Sequence, residues 1–163
     1  MKSLVVYYSL DGNTKLIAQT IAEGAGADLA EIKTKGNIPT SGFKKILFCF
    51  FAVLKRGRIK ISPLKKDPQN YDLIFIGGPV WAALFASPVL AFAKKANLAG
   101  KHIALFYTSG SGDAAKAFTI IGKSLKKCKI VGKIGFKEPL KNSKDIAIKS
   151  AKKWATEIIG KLI

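Results

Sequence analysis

The chain passes from an apolar run into a helical pattern through six residues, Ser9-Leu10-Asp11-Gly12-Asn13-Thr14. The run before them is strand-like and ends at Tyr8, and apolar residues resume at helical spacing from Leu16. A strand that turns through Gly and hydroxyl residues into a helix presents backbone N–H groups that lack partners within the helix. These groups and the positive end of the helix dipole favour a phosphate. The stretch therefore predicts a phosphate-binding loop between a first strand and a first helix.

Strand-like runs alternate with helical patterns along the rest of the chain. The predicted strands are 3–8, 28–33, 73–76, 103–107 and 129–135. The predicted helices are 13–24, a helix with Ser87 as N-cap and Pro88 at its first position, 113–127 and 143–162. This alternation implies right-handed crossovers and a parallel sheet that is covered by helices on both faces. We expect residues 1–163 to form one three-layer α/β domain, which is large enough to need no disulfide or metal.

The charge of the chain is strongly positive, with 28 Lys and Arg against 10 Asp and Glu and a formal net charge of +18. Nearly all of the basic residues are lysines, whereas arginine is the usual residue for reading bases or gripping a phosphate with two hydrogen bonds. We therefore expect no specific nucleic-acid partner. Two interpretations stay open: a well-solvated lysine surface, and electrostatic steering toward an acidic partner or an anionic substrate.

Residues 41–66 form the least regular part of the pattern, because the apolar run 46–54 is flanked by lysines and arginines without any acid. One interpretation is a helix between the second and third strands whose lysines extend outward. The other is a docking or membrane-surface patch, so that a peripheral membrane contact through 44–66 stays open. The apolar run is too short for a membrane span, and the N-terminus has no secretory pattern. We expect a cytoplasmic protein with no transmembrane segment.

Cysteine and histidine, which often act in catalysis or bind metals, are scarce in the sequence. Cys49 and Cys128 are far apart and fit no metal or redox motif, so both are interpreted as reduced thiols. His102 begins a predicted strand, at the edge of the sheet opposite the predicted binding loops. We expect no metal site and no catalytic residue supplied by the protein.

Two further loops resemble the first in composition and position. The third predicted strand is followed by Gly77-Gly78-Pro79-Val80-Trp81-Ala82. The fourth is followed by Thr108-Ser109-Gly110-Ser111-Gly112-Asp113. Ligands of parallel sheets bind outside the carboxyl ends of the strands, and all three loops must lie at that edge. The sequence therefore predicts one binding site built from three loops.

In these three loops the chain resembles the flavodoxin family. That family has a Ser-x-Thr-Gly-Asn-Thr phosphate loop, then a Gly-(Thr/Ser)-Pro-x-(Trp/Tyr) loop and a third loop rich in Ser and Gly, in the same order. The resemblance covers essentially the whole chain and is closest to the short-chain form. It implies an α/β/α fold with a five-stranded parallel sheet of order 2-1-3-4-5, and non-covalent FMN as the cofactor.

The resemblance also implies a role for each loop. The loop of Ser9, Leu10, Asp11, Gly12, Asn13 and Thr14 would hold the FMN phosphate, chiefly through its Ser, Gly, Asn and Thr residues. Trp81 would stack on the isoalloxazine ring, with Pro79, Val80 and Ala82 shaping that side. The third loop, which consists of Thr108, Ser109, Gly110, Ser111, Gly112 and Asp113, would pass along the other edge of the flavin.

The chain departs from the family pattern at two places. Asp11 stands where the family has Thr, and a carboxylate near a phosphate is unfavourable. We therefore expect Asp11 to point to water or to cap the helix, or the bound anion to carry less charge. The third loop lacks the aromatic residue that covers the second flavin face in many flavodoxins, which would leave that face open to a partner or a small substrate.

The leading functional hypothesis is a monomeric, FMN-binding electron carrier between cytoplasmic redox proteins, with a redox partner that has an acidic docking face. A second hypothesis is an FMN-dependent NAD(P)H:quinone-type oxidoreductase that uses an open flavin face. A third is a flavodoxin-like binding module that lacks FMN and uses its basic surface.

Overall fold

The computed structural model describes residues 1–35, 59–110 and 114–163. Its strands are β1 (Ser3–Tyr7), β2 (Asp28–Glu31), β3 (Leu73–Trp81), β4 (Leu84–Phe85), β5 (His102–Ser109) and β6 (Lys129–Lys137). Its helices are α1 (Asn13–Ala25), α2 (Ser87–Lys95), α3 (Ala115–Ser124) and α4 (Lys144–Gly160), with a short 3-10 turn at Pro68–Asn70.

Five of the strands form a parallel sheet in the order β2-β1-β3-β5-β6. Because β4 is a short strand that pairs antiparallel with the end of β3, β5 and β6 are the fourth and fifth parallel strands. The predicted order 2-1-3-4-5 and the predicted α/β class are therefore confirmed. In the register of the sheet, Ile74 of the central β3 lies between Leu4 and Ile103, and all three side chains are fully buried.

Helices cover the sheet on both faces and divide the core into two parts. On one face, α1 and α4 pack over a cluster that includes Ile17, Ile21, Phe75, Phe106 and Ile158. On the other face, α2 and α3 pack over a cluster that includes Val6, Ile76, Val89, Leu105 and Ile121. The central strand is apolar on both faces because each face is covered, as the sequence predicts for a parallel sheet.

The second predicted loop differs from the structure, because β3 continues through Gly77 to Trp81 instead of ending at Ile76. The extension pairs with β4, which places Val80 opposite Phe85 and Trp81 opposite Leu84. Buried apolar side chains drive this pairing, since Val80, Leu84 and Phe85 are all buried. The segment is therefore a hairpin at the carboxyl end of a strand.

Several helix boundaries also differ from prediction. Ser87 is not the N-cap of α2, because the backbone N–H groups of Val89 and Leu90 already bond to the carbonyl of Ala86, which is the N-cap. The third helix ends at Ser124, since the N–H of Leu125 turns back to the carbonyl of Gly122. α4 begins and ends one to two residues inside the predicted 143–162.

The basic segment is described only in part. Residues 36–58, which include Cys49 and most of the predicted helix, lie outside the described residues. Residues 59–66 are not helical, and Ile61 forms an antiparallel bridge with Thr34. Cys128 is half-buried, its thiol donates to the carbonyl of Leu98, and burial raises its pKa. Within 1–35, 59–110 and 114–163, no helix is long and apolar enough to cross a membrane.

Candidate functional site

The loop between β1 and α1 folds around a glycine in a left-handed conformation. Gly12 has a φ of 91° and is the N-cap of α1, where its carbonyl accepts from the N–H of Leu16 at 3.0 Å. A residue with a side chain rarely adopts such a φ, so the turn requires glycine. The hydroxyl oxygen of Ser9 accepts from the N–H of Lys15 at 3.2 Å, which closes the loop onto the helix. The first turn of the helix is thereby directed toward the carboxyl edge of the sheet.

The carboxylate of Asp11 lies at the start of this helix, one residue before the N-cap. Its Oδ1 accepts a hydrogen bond from the backbone N–H of Asn13 at 3.2 Å, and the residue is exposed. This placement corresponds to one of the alternatives expected for a carboxylate in this loop. It satisfies one of the first-turn donors that a bound anion would otherwise use.

The segment after β6 lies against the phosphate-type loop. The N–H of Leu140 donates to Oδ1 of Asn13 at 2.9 Å. A Cβ atom built on Gly12 would lie 3.4 Å from Cδ1 of Leu140, which is ordinary van der Waals contact. The hydrogen bond to Asn13 therefore connects the loop to the segment that follows β6.

A buried hydrogen bond joins the first and third predicted loops. Oγ1 of Thr14 and Oγ1 of Thr108 are 2.8 Å apart, and both residues are almost fully buried. Thr14 lies in the first turn of α1 and Thr108 near the end of β5, so the contact ties the helix to the central strands.

Trp81 ends β3 at the same edge. It is half-buried, and its ring meets the ring of Tyr8 edge to face at 6.3 Å and 87°. The two residues that turn the chain toward β4 are Ala82 and Ala83, with φ values of 46° and 59°. Left-handed alanines cost roughly 1–2 kcal/mol each, and strained backbone of this kind is concentrated at functional sites. The hairpin therefore holds Trp81 in place at an energetic cost.

These elements surround an open pocket of about 200 Å³. The described residues that line it are Asp11, Asn13, Pro79, Val80, Trp81, Thr108, Ser109, Gly110 and Glu138. The volume is below the roughly 300–1,000 Å³ of pockets that enclose most of a small ligand. The described part of the pocket would therefore hold only a portion of a nucleotide-sized molecule.

Eight of the residues predicted from the sequence line this pocket, two or more from each of the three loops. Five others are adjacent without lining it: Ser9, Leu10, Gly12, Thr14 and Ala82. Ser111, Gly112 and Asp113 lie outside the described residues. The side chains of Ser9 and Thr14 are engaged in the hydrogen bonds to Lys15 and Thr108 described above.

Sequence reasoning missed Glu138, which follows β6 and lines the pocket. Its backbone N–H donates to the carbonyl of Ser109 at 3.1 Å, and its carboxylate accepts from Nζ of Lys141 at 2.8 Å. The signal was available, because the carboxyl end of the fifth parallel strand lies at the same edge as the other loops. The predicted strand ended at residue 135, whereas β6 ends at Lys137, so the prediction did not place Glu138 directly after the strand.

The electrostatics of the pocket are mixed. Asp11 and Glu138 bring two carboxylates to its lining, and no Lys or Arg lines it among the residues that the structure describes. Lys141 lies beside both acids: the hydrogen bond to Glu138 and then the charges of Glu138 and Asp11 raise the pKa of its ammonium group. Lys141 therefore offsets part of the negative charge of the two acids.

Comparison with known proteins identifies the family. The sequence profile described as "Flavodoxin" matches residues 2–157, almost the whole chain. The chain belongs to the flavodoxin family. This membership confirms the resemblance expected from the three loops, and it supports FMN as the cofactor of this flavodoxin.

Individual relatives agree with the family. Flavodoxin FldP of Pseudomonas aeruginosa (strain UCBPP-PA14) is 52% identical over 42 residues, which cover 26% of this chain and 23% of that protein. The solved flavoprotein of Lactobacillus acidophilus NCFM in complex with FMN is 23% identical, with a TM-score of 0.67 over 88% of this chain and 97% of that one. Oxidised flavodoxin 2 of Bacillus cereus is 20% identical, with a TM-score of 0.61 over 99% of both chains. At these identities the two structures demonstrate the shared fold.

The residues of the pocket fit a flavin mononucleotide on chemical grounds. A half-buried tryptophan provides an aromatic ring, the positive end of the α1 dipole favours an anion, and residues 108–110 line the pocket from the end of β5. The N–H groups of Asn13 and Lys15 are already bonded to Asp11 and Ser9, so an anion would compete with these side chains. The two carboxylates are the unfavourable element, and Lys141 reduces their effect.

Proposed function

We propose that this flavodoxin binds FMN non-covalently in the pocket between Trp81, the β1–α1 loop and the end of β5, and carries electrons between redox proteins. The observation that supports this most directly is that the three loops meet at one edge of the sheet. The Thr14–Thr108 hydrogen bond joins the first and third of them. When bound, FMN would supply the one- and two-electron redox chemistry.

The chain's own residues would bind and orient the cofactor. The first turn of α1, with Ser9, Gly12, Asn13 and Thr14, would hold the phosphate through backbone N–H groups and the hydroxyl of Ser9, whereas the hydroxyl of Thr14 is bonded to Thr108 and would support the loop. The Trp81 ring would stack on the isoalloxazine, since the side chain is half-buried at the pocket and its perpendicular contact with the Tyr8 ring orients it. Residues 108–113 would border the other edge, of which 108–110 line the pocket in the structure.

A carrier is favoured over a self-sufficient enzyme because the described pocket residues provide little acid–base chemistry beyond the exposed carboxylate of Asp11 and the half-buried, lysine-bonded carboxylate of Glu138. The net charge of +18 supports a redox partner with an acidic docking face, because opposite charges accelerate encounter between proteins. The same charge opposes self-association, and we propose a monomer that acts in the cytoplasm.

The test combines a cofactor titration with two turnover measurements. We expect the purified protein to bind added FMN, to exchange electrons with a reductase or an artificial one-electron dye, and to show no catalytic oxidation of NADPH or NADH by itself. Sustained NAD(P)H oxidation with a quinone acceptor would contradict the carrier proposal and indicate an oxidoreductase. Absence of FMN binding would overturn the proposal and favour a module without cofactor.

A further inference from the structure

A second depression lies between α2 and α3, away from the pocket proposed for FMN. It is a groove of about 540 Å³, lined by the apolar side chains of Leu84, Leu90 and Ile120 and by the lysines Lys94, Lys116 and Lys123. We call it the α2–α3 groove. Leu84 and Leu90 are almost fully buried, whereas the three lysines are exposed. The groove therefore combines an apolar lining with a cationic border.

The charge around the groove is one-sided over a long stretch of chain. Residues 73–137 contain ten lysines and a single acid, Asp113. Both helices that form the groove lie in this stretch and contain no Asp or Glu. The potential near the groove is therefore positive, and it attracts acidic surfaces.

The groove adjoins the pocket through the β3–β4 hairpin. Leu84 lines the groove, and its partner in the antiparallel ladder is Trp81, which lines the pocket. Residues opposite one another in such a ladder have Cα atoms about 4.5–5.5 Å apart. A molecule seated in the groove would therefore lie next to the residue proposed to stack on the flavin.

Three other occupants fit these observations less well. A second copy of this chain would also carry +18, so the two would repel. A membrane surface requires apolar side chains that protrude, whereas the large apolar residues that are exposed in the described chain lie elsewhere, at Met1, Ile130, Leu140, Ile146 and Ile163. A nucleic acid favours exposed aromatic rings and arginines, and neither lines the groove among the described residues.

We propose that the α2–α3 groove is the docking site for the acidic face of the redox partner, which inserts an apolar side chain between Leu84, Leu90 and Ile120 while its carboxylates meet Lys94, Lys116 and Lys123. This inference rests on the proposed function and adds to it the place and the mixed chemistry of the contact. Apolar anchors in a pocket with charged surroundings are the usual arrangement of energetically important contacts in protein interfaces.

The test uses a short peptide in which a single phenylalanine is flanked on both sides by glutamates. Amide chemical shifts of the isotope-labelled, FMN-loaded protein would be followed during titration at low ionic strength. We expect the largest shifts at Leu84, Ile120 and their neighbours, a weaker response when serine replaces the phenylalanine, and none when lysines replace the glutamates. Shifts that spread evenly over the lysine-rich surface, or no shifts, would overturn the proposal.

Two matched variants separate the groove from the net charge. Lys116→Glu with Lys123→Glu should weaken peptide binding by about tenfold or more, because it reverses two charges at the border. Lys144→Glu with Lys149→Glu makes the same charge change on exposed positions of α4 and should weaken binding much less. Equal losses in the two variants would contradict a defined docking site.

A charge-neutral variant tests the apolar part. Thr119 is exposed and lines the groove, so Thr119→Trp should fill it and abolish the preference for the phenylalanine peptide over the serine peptide. The same amide shifts would be followed with vesicles that contain phosphatidylglycerol and over a range of protein concentrations. Shifts at the groove caused by vesicles or by self-association, without a response to the peptide, would contradict the proposal. FMN binding is measured separately. A protein that does not bind FMN would contradict the proposed function, whereas a protein that binds FMN but not the peptide would contradict only the docking site.

Discussion

The hydroxyl groups of Thr14 and Thr108 lie 2.8 Å apart in the interior and connect the first turn of α1 to the end of β5. The contact spans 94 positions in sequence and joins two of the three loops at the pocket. Replacement of Thr108 by the similarly shaped Val should destabilise the fold by roughly 1–3 kcal/mol, because the Thr14 hydroxyl then remains buried without its partner.

The double variant Thr14→Val with Thr108→Val is the sharper measurement, because it removes both polar groups together. In urea unfolding, the free energy of unfolding of the double variant should fall by less than the sum of the losses in the two single variants. A strictly additive cycle would contradict an energetically important bond between these hydroxyls.

Trp81 should determine much of the flavin affinity. Stacking of an aromatic side chain on a flat heteroaromatic ring contributes roughly 1–3 kcal/mol, so Trp81→Leu should raise the dissociation constant of FMN by about fivefold to 150-fold. Trp154→Leu is the control, because Trp154 packs edge to face on Phe75 beneath the opposite face of the sheet. Quenching of flavin fluorescence measures both constants, and an equal effect of the two variants would argue against stacking on Trp81.

Asp11 should weaken phosphate binding. Asp11→Asn keeps an oxygen that can accept from the N–H of Asn13 and removes the charge, so FMN affinity should rise by about threefold to tenfold; an exposed charge about 6 Å from a phosphate costs roughly 1 kcal/mol in well-solvated surroundings. The gain should shrink as salt is added.

The chain provides a matched control for this change. Asp67 accepts from the N–H of Gln69 in the same manner, at the start of the 3-10 turn and away from the pocket. Asp67→Asn should leave FMN affinity unchanged. If Asp11→Asn also had no effect, the phosphate would have to lie elsewhere.

Asp28 should make stability depend on acid pH. Hydrogen bonds from Lys66 and then from Tyr71 lower the pKa of this carboxyl in the folded protein. The resulting stabilisation is fully present above the unfolded pKa of about 3.9 and is lost as the pH falls toward the lower folded value. The stability advantage of the native chain over Asp28→Asn should therefore be largest near neutral pH and should decline below about pH 4 in urea unfolding. An advantage that stays constant from about two pH units above that pKa to about one unit below it would contradict the assignment.

The alternation of strands and helices was sufficient to predict that three loops meet, because parallel strands place their carboxyl ends at one edge. The sheet order was predicted from the resemblance of these loops to the flavodoxin family. The sequence was not sufficient for contacts that depend on register or on where a strand stops. The extension of β3 to Trp81 depends on pairing with only two residues of β4, and Glu138 came within reach of the pocket because β6 extends to Lys137. The Thr14–Thr108 bond likewise depends on the placement of α1 over β5, for which the local sequence has no signal.

Binding of FMN to the purified protein tests the central claim most directly. Titration of the protein into FMN, followed by flavin fluorescence and the visible spectrum, should show saturation at an equimolar ratio with strong quenching, and Trp81→Leu should shift the curve to higher protein concentration. Unchanged fluorescence and an unchanged spectrum over the whole titration would contradict the account.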